Sequence, residues 1–136
     1  MKYLLDANAV IAIMRGDRTV LDRLKRNRPA DFGMPAVVAH ELFYGAFRSS
    51  RVEENVRRLE ALKFAIVEFD AEDARRAGEL RADLTRMGKP IGPYDVLVAG
   101  QALARGLTVV THNVREFARV PGLLVEDWEE TPSSRA

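Results

Sequence analysis

Met1-Lys-Tyr-Leu-Leu-Asp6-Ala-Asn8-Ala-Val-Ile-Ala-Ile-Met14 opens the chain with two apolar runs that meet at Asp6. Tyr3-Leu4-Leu5 is apolar, too short for a helix, and reads as a buried strand. The apolar run after Asp6 is long enough for a helix and stops at Gly16, a common C-terminal cap. Asp6 and Asn8 are the only strongly polar side chains between Lys2 and Arg15. They stand where a strand meets a helix, at the carboxyl edge of the predicted sheet, and open α/β folds bind ligands at that edge. Taken alone, capping of the helix by Asp6 or Asn8 is the simpler account.

Working outward, strands and helices alternate. Val20, Leu21 and Leu24 share one face of a second helix, capped by Asp17 and ended by Pro29. Phe32 to Val38 reads as a short strand running into a helix over 37–47. A helix over 53–63 and a strand over 64–69 follow. Asp70 and Asp73 then form a capping box for a helix that Gly88 stops, and these acids need no chemistry. Gly92 and Pro93 suit the cap and first position of the next helix, which is apolar nearly all round through Val96-Leu-Val-Ala99. Leu107 to Val110 is a buried strand, Asn113 with Glu116 fits a second capping box, and Leu123 to Val125 is a last strand. The pattern predicts an α/β fold: a mainly parallel central sheet flanked by helices on both faces. One domain over 1–130 and a disordered tail over 131–136 are expected.

Composition narrows the function classes. There is no cysteine, which excludes disulfides, thiolate metal sites and a cysteine nucleophile and fits a reducing cytoplasm. Asp6 interrupts the apolar start, so it does not read as a signal peptide, and no segment approaches a membrane span. The net charge is only +1, but Arg15, Arg18, Arg23, Lys25, Arg26 and Arg28 form a basic stretch suited to phosphate contacts, while Glu126 to Glu130 is acidic.

Four places carry polar groups toward the same edge. Asp6 and the segment Thr111 to Glu116 follow strands; Glu41 and Asp95 lie near the N-termini of helices, which face that edge in right-handed crossovers. Glu41 sits among apolar helical neighbours, where a lone carboxylate is costly to bury unpaired. Clustered carboxylates repel, and one stays protonated unless a cation lies among them. Oxygen-only ligands favour Mg²⁺ or Mn²⁺, and such a site can activate water for phosphoryl displacement.

The same residues resemble a family. Leu-Leu-Asp6-Ala-Asn8, His40-Glu-Leu42, Ile91-Gly-Pro-Tyr-Asp-Val-Leu-Val-Ala99 and Val109-Val-Thr-His-Asn-Val-Arg-Glu-Phe117 are similar to motifs of the PIN-domain ribonucleases. The closing Val120-Pro-Gly-Leu-Leu-Val-Glu-Asp-Trp128 resembles VapC-type toxins of bacterial toxin–antitoxin pairs. The resemblance implies a Mg²⁺-dependent endoribonuclease acting on RNA, often tRNA, and neutralised by a cognate VapB-type antitoxin. It implies Asp6 and Asp95 as metal ligands, with Glu41 and Glu116 completing the catalytic set and Asn8, Thr111 and Asn113 in support. Ala7 departs from the threonine common there, and Asn113 stands where many members carry aspartate. These departures leave open a binding module that has kept the fold and lost the chemistry. A phosphoaspartate-type phosphohydrolase would want an aspartate where Asn8 stands. A homodimer is expected through the apolar surface around Phe43, Tyr44 and Phe47.

Overall fold

The computed structural model describes residues 1–129; the tail expected over 131–136 lies outside the described residues. The elements run β1 (Tyr3–Leu5), α1 (Ala7–Arg15), α2 (Arg18–Lys25), β2 (Phe32–Pro35), α3 (Ala36–Phe47), α4 (Val52–Ala61) and β3 (Ala65–Val67). Then come α5 (Ala71–Arg86), α6 (Pro93–Arg105), β4 (Thr108–Val110), α7 (Val114–Phe117) and β5 (Val125–Glu126). The five strands form one parallel sheet in the order β3-β2-β1-β4-β5. Among the described residues, seven helices flank it.

Parallel strands buried on both faces read as unbroken apolar runs. The central pair obeys this: Leu4, Leu5, Val109 and Val110 are all buried, with Leu5 paired to Val110. From β1 the chain builds outward through β2 and β3, then returns to lay β4 and β5 on the other side. The order reverses between β1 and β4, and a cleft opens beyond the carboxyl ends of two strands that part company this way. Asp6 follows β1 and Thr111 follows β4, so both stand at this switch point.

Two packing devices hold the frame. Gly100 of α6 lets the α5 backbone come close: a Cβ there would lie 2.5 Å from the Ala77 Cα. The Asp70–Asp73 capping box forms as expected, with each side chain accepting from the other's backbone N–H at 3.0 Å. Burial alone would push the Asp73 carboxyl up, but hydrogen bonds from Arg105, the Asp70 N–H and Gln101 hold it below the usual range. These acids anchor α5 to the end of α6, away from the site.

Several boundaries differ from the sequence reading. The third strand covers only Ala65–Val67 instead of 64–69, because Lys63 before it takes a positive φ of 56°. The last strand is Val125–Glu126 rather than 123–125, since Gly122, at φ 79°, places Leu123 and Leu124 in the approach to it. The acidic end and the basic stretch neutralise one another in part. Arg23 donates to Glu126 at 2.7 Å and covers the buried Trp128 ring, Arg15 reaches Glu129 at 3.2 Å, and Arg28 pairs with Asp31. Trp128 packs edge-on against Tyr3 and Phe32. Two of the six cations of the expected phosphate-binding stretch, Arg15 and Arg23, thus fasten the C-terminal segment, and Arg28 is taken up by Asp31.

Candidate metal centre

Each acid reaches the switch point from a different element. Asp6 caps α1 in sequence but not in chemistry: its side chain makes no capping bond. It turns instead toward β4, where the Thr111 hydroxyl donates to Oδ2 at 2.9 Å. The capping account of Asp6 is thereby replaced. Asn8, two residues further on, ties the two strand ends together. Its amide donates to Thr111 Oγ1 at 3.3 Å, and its carbonyl accepts from the His112 N–H at 2.8 Å.

Asp95 stands in the first turn of α6, which starts at Gly92 and Pro93 as expected. Glu116 does not close the expected capping box with Asn113, whose side chain makes no capping bond. The Glu116 carboxylate instead accepts from the Gly92 N–H and, at 2.8 Å, from the Asn113 amide. Asn113 thus holds the Glu116 carboxylate through its side-chain amide. A Cβ placed on Gly92 would lie 3.1 Å from Asp95 Oδ2 and 3.3 Å from Glu116 Oε1, so both carboxylates converge on this backbone position. Gly92, expected as a helix cap, also serves this acidic cluster, and the glycine before Pro93 is its mark in the sequence. Glu41 enters from α3, half-buried, within the field of Asp6.

The electrostatics follow from this crowding. Burial pushes the Asp6 carboxyl up, although the Ala7 N–H and the Thr111 hydroxyl pull it back in part. Burial, then the Asp6 charge, raises Glu41. Asp95 is pushed up to about 7 by burial, by the Asp6 and Glu116 charges, and by its hydrogen bond to Glu116. Glu116 moves the other way, held down first by the Gly92 N–H and further by Asn113 and the Asp95 carboxyl. The proton of this pair thus sits on Asp95, which donates a hydrogen bond to the Glu116 carboxylate.

These residues suit a divalent cation. Every donor is oxygen, the set preferred by Mg²⁺ and Mn²⁺. A cation among them also removes the reason for Asp95 to hold its proton. The tightest group of metal-type donors among the described residues lies elsewhere: His112, Asp127 and Glu129, with ligand atoms within 4.8 Å of one another. Its members already have other partners: His112 Nδ1 lies 3.0 Å from Asp127, and Glu129 engages Arg15.

A pH dependence follows for the metal-free protein. The folded-state pKa of Asp95 lies above its ordinary 3.8, so the folded state binds the proton more tightly than the unfolded chain. The resulting stability is fully present below the ordinary value and lost as pH rises through about 7. Asp6 and Glu41 act in the same direction. Asp17, Asp31 and Asp73 are lowered, so their contribution is lost only in stronger acid. Thermal melts in EDTA should therefore show a higher Tm at about pH 5.5 than at about pH 8. Added Mg²⁺ should narrow that gap by raising the value at about pH 8.

Comparison with known proteins agrees with this architecture. The PIN domain profile matches residues 3–123. A "tRNA(fMet)-specific endonuclease VapC" of Shigella flexneri is 38% identical over 131 residues, covering 94% of this chain and 98% of the relative. "Ribonuclease VapC2" of Haemophilus influenzae is 34% identical over the same shares. Among solved structures, DNA-bound VapBC from Salmonella typhimurium matches with a TM-score of 0.89 at 37% identity, covering 94% of this chain and 98% of that one. VapBC2 from Rickettsia felis, bound to a DNA fragment from its promoter, matches with a TM-score of 0.87 at 31% identity, over 94% and 99% of the two chains. By sequence and by fold, the chain belongs to the PIN-domain family, among the VapC-type endoribonucleases.

Proposed function

We propose that this chain is a Mg²⁺-dependent endoribonuclease toxin that cleaves tRNA and is silenced by a VapB-type antitoxin. The observation that carries the reading is the convergence of Asp6, Glu41, Asp95 and Glu116 at the β1/β4 switch point, with Asp95 raised to about 7. In this reading Asp6 and Asp95 hold the cation, with Glu41 and Glu116 completing the acidic set. Mn²⁺ can replace Mg²⁺ in such an all-oxygen site. When bound, the cation acidifies water and neutralises charge on the phosphodiester under attack.

The protein groups divide the remaining work. Thr111 and Asn8 fix the Asp6 carboxylate before substrate arrives. Gly92 and Asn113 hold Glu116 ionised and oriented, which suits it to positioning. Glu41 is raised rather than lowered, which makes it the stronger base and suits it to accept a proton from the attacking water.

The tRNA substrate is supported by the name of the Shigella flexneri relative. The antitoxin is supported by the solved neighbours, which are VapBC complexes. A homodimer is supported by α3, where His40, Tyr44 and Phe47 share one face and Tyr44 and Phe47 are 60% and 63% exposed. Phe43, by contrast, packs partly against the core. A dimer by light scattering at micromolar concentration is expected, reduced to monomer by Tyr44→Arg with Phe47→Arg.

The test of the activity is incubation of antitoxin-free protein with total tRNA, in Mg²⁺, Mn²⁺ or EDTA. Discrete cleavage that needs metal is expected, and sequencing the new ends identifies the tRNA. Binding of RNA with no cleavage in any metal would instead favour a module that has lost its chemistry.

A further inference from the structure

Beside the acidic centre lies a second feature of opposite sign. Gly88, Lys89, Arg115, Ala118 and Arg119 line an open cavity of about 470 Å³. No carboxylate lines it, and among the described residues none of its three cations joins an ion pair. Arg119 is fixed by donating to the Pro90 carbonyl at 2.8 Å. Lys89 and Arg115 are exposed.

The same two segments carry the cavity and part of the acidic centre. The hydrogen bond from the Gly92 N–H to Glu116 joins the loop before α6 to α7. Lys89 precedes Gly92 on that loop, and Arg115 immediately precedes Glu116. The Arg119 charge is close enough to Glu116 to help hold it ionised. Three like charges around one cavity repel, and an anion between them removes the penalty. A phosphodiester at the acidic centre brings such an anion with it: the neighbouring phosphate of the same strand. Arginine's planar fork can take that phosphate through two parallel hydrogen bonds.

We propose that Lys89, Arg115 and Arg119 form a subsite for an RNA backbone phosphate adjacent to the scissile one. The proposal rests on the nuclease reading above and extends it to the placement of the strand. These are positioning residues: they hold the chain in register across the carboxylates and touch no reacting atom. A basic tether next to an acidic centre also explains how a net-negative pocket accepts a polyanion.

The experiment uses the full chain and two readouts. Binding of fluorescein-labelled tRNA is measured by anisotropy in EDTA over a range of salt. Cleavage of the same RNA is followed in Mg²⁺. Wild type is compared with Lys89→Ala, Arg115→Ala and Arg115→Lys; Arg119 is left intact because it also braces Pro90. Arg115→Ala should raise KM about tenfold or more, the scale of one charged hydrogen bond, with kcat nearly unchanged. Its salt slope should fall by about 0.7, the value for one single-strand phosphate contact. Arg115→Lys should recover the salt slope but only part of the affinity. Wild-type KM and salt slope in both alanine variants, beside normal wild-type cleavage, would overturn the subsite and leave the nuclease reading standing. So would variants that bind RNA normally but lose the antitoxin, which would make the cavity a protein-docking surface. Failure of wild type to bind or cleave any RNA would overturn both.

Discussion

Asp95→Asn should abolish RNA cleavage, lowering kcat by about 10³-fold or more, the scale on which loss of one preorganised electrostatic group is felt. The physical ground is the position of Asp95 among three other carboxylates. Its raised pKa of about 7 shows how poorly the site tolerates its negative charge without a cation. That same unfavourable charge is what a divalent ion would use. Asparagine keeps the size and one acceptor oxygen but removes the charge, so cation affinity falls while the fold stays. The variant should even be more stable than wild type in EDTA at about pH 8, because an ionised carboxylate has left a crowded site. Loss of cleavage with a gain of metal-free stability is the signature that separates a functional acid from a structural one. Full activity in a folded Asp95→Asn protein would remove Asp95 from the site.

Gly100→Ala should destabilise the fold, against the ordinary expectation for a glycine inside a helix. Alanine there gains about 1 kcal/mol of helix propensity. The added methyl, however, would meet the Ala77 Cα at 2.5 Å and the Ala77 backbone N at 2.8 Å. These atoms cannot rotate away, so α5 and α6 must part, and overpacking of that kind costs about 1–3 kcal/mol or more. The clash wins, and a net loss follows in urea denaturation. Gly78→Ala on α5 is the control: nothing lies within 4 Å of its Cβ position, so that variant should gain stability. Because α6 carries Asp95 at its first turn, Gly100→Ala should also lower cleavage. A stable and fully active Gly100→Ala protein would contradict the close α5–α6 contact.

Much of this was legible in the chain because buried parallel strands leave a plain trace. Leu4-Leu5 and Val109-Val110 read as the central strands, and the polar residues just after each marked the edge where the site lies. What stayed hidden were bonds set by tertiary proximity. Asn113 and Glu116 have the spacing of a capping box, and local pattern prefers that reading. Only the approach of the loop before α6 turns Glu116 to the Gly92 N–H. Asp6 likewise has the sequence position of a cap, but Thr111 takes its carboxylate from 105 residues away. The basic stretch misled for a related reason. Charge counted along the chain does not show that Arg15 and Arg23 face Glu129 and Glu126, more than a hundred residues on. Lys89, Arg115 and Arg119 are too scattered in sequence to read as a patch, yet they meet around one cavity.

If these carboxylates form one divalent-cation site, binding of the ion drives the Asp95 proton off into the buffer. Calorimetric titration of Mn²⁺ at pH 7, repeated in buffers of different ionisation enthalpy, measures cation binding and proton release together. Metal ligands must be deprotonated, so binding should release a fraction of a proton. With Asp95 at about 7, that release should vanish at about pH 9 and be lost in Asp95→Asn. Absence of Mn²⁺ binding in the wild type, or binding with the same proton release in Asp95→Asn, would contradict the account.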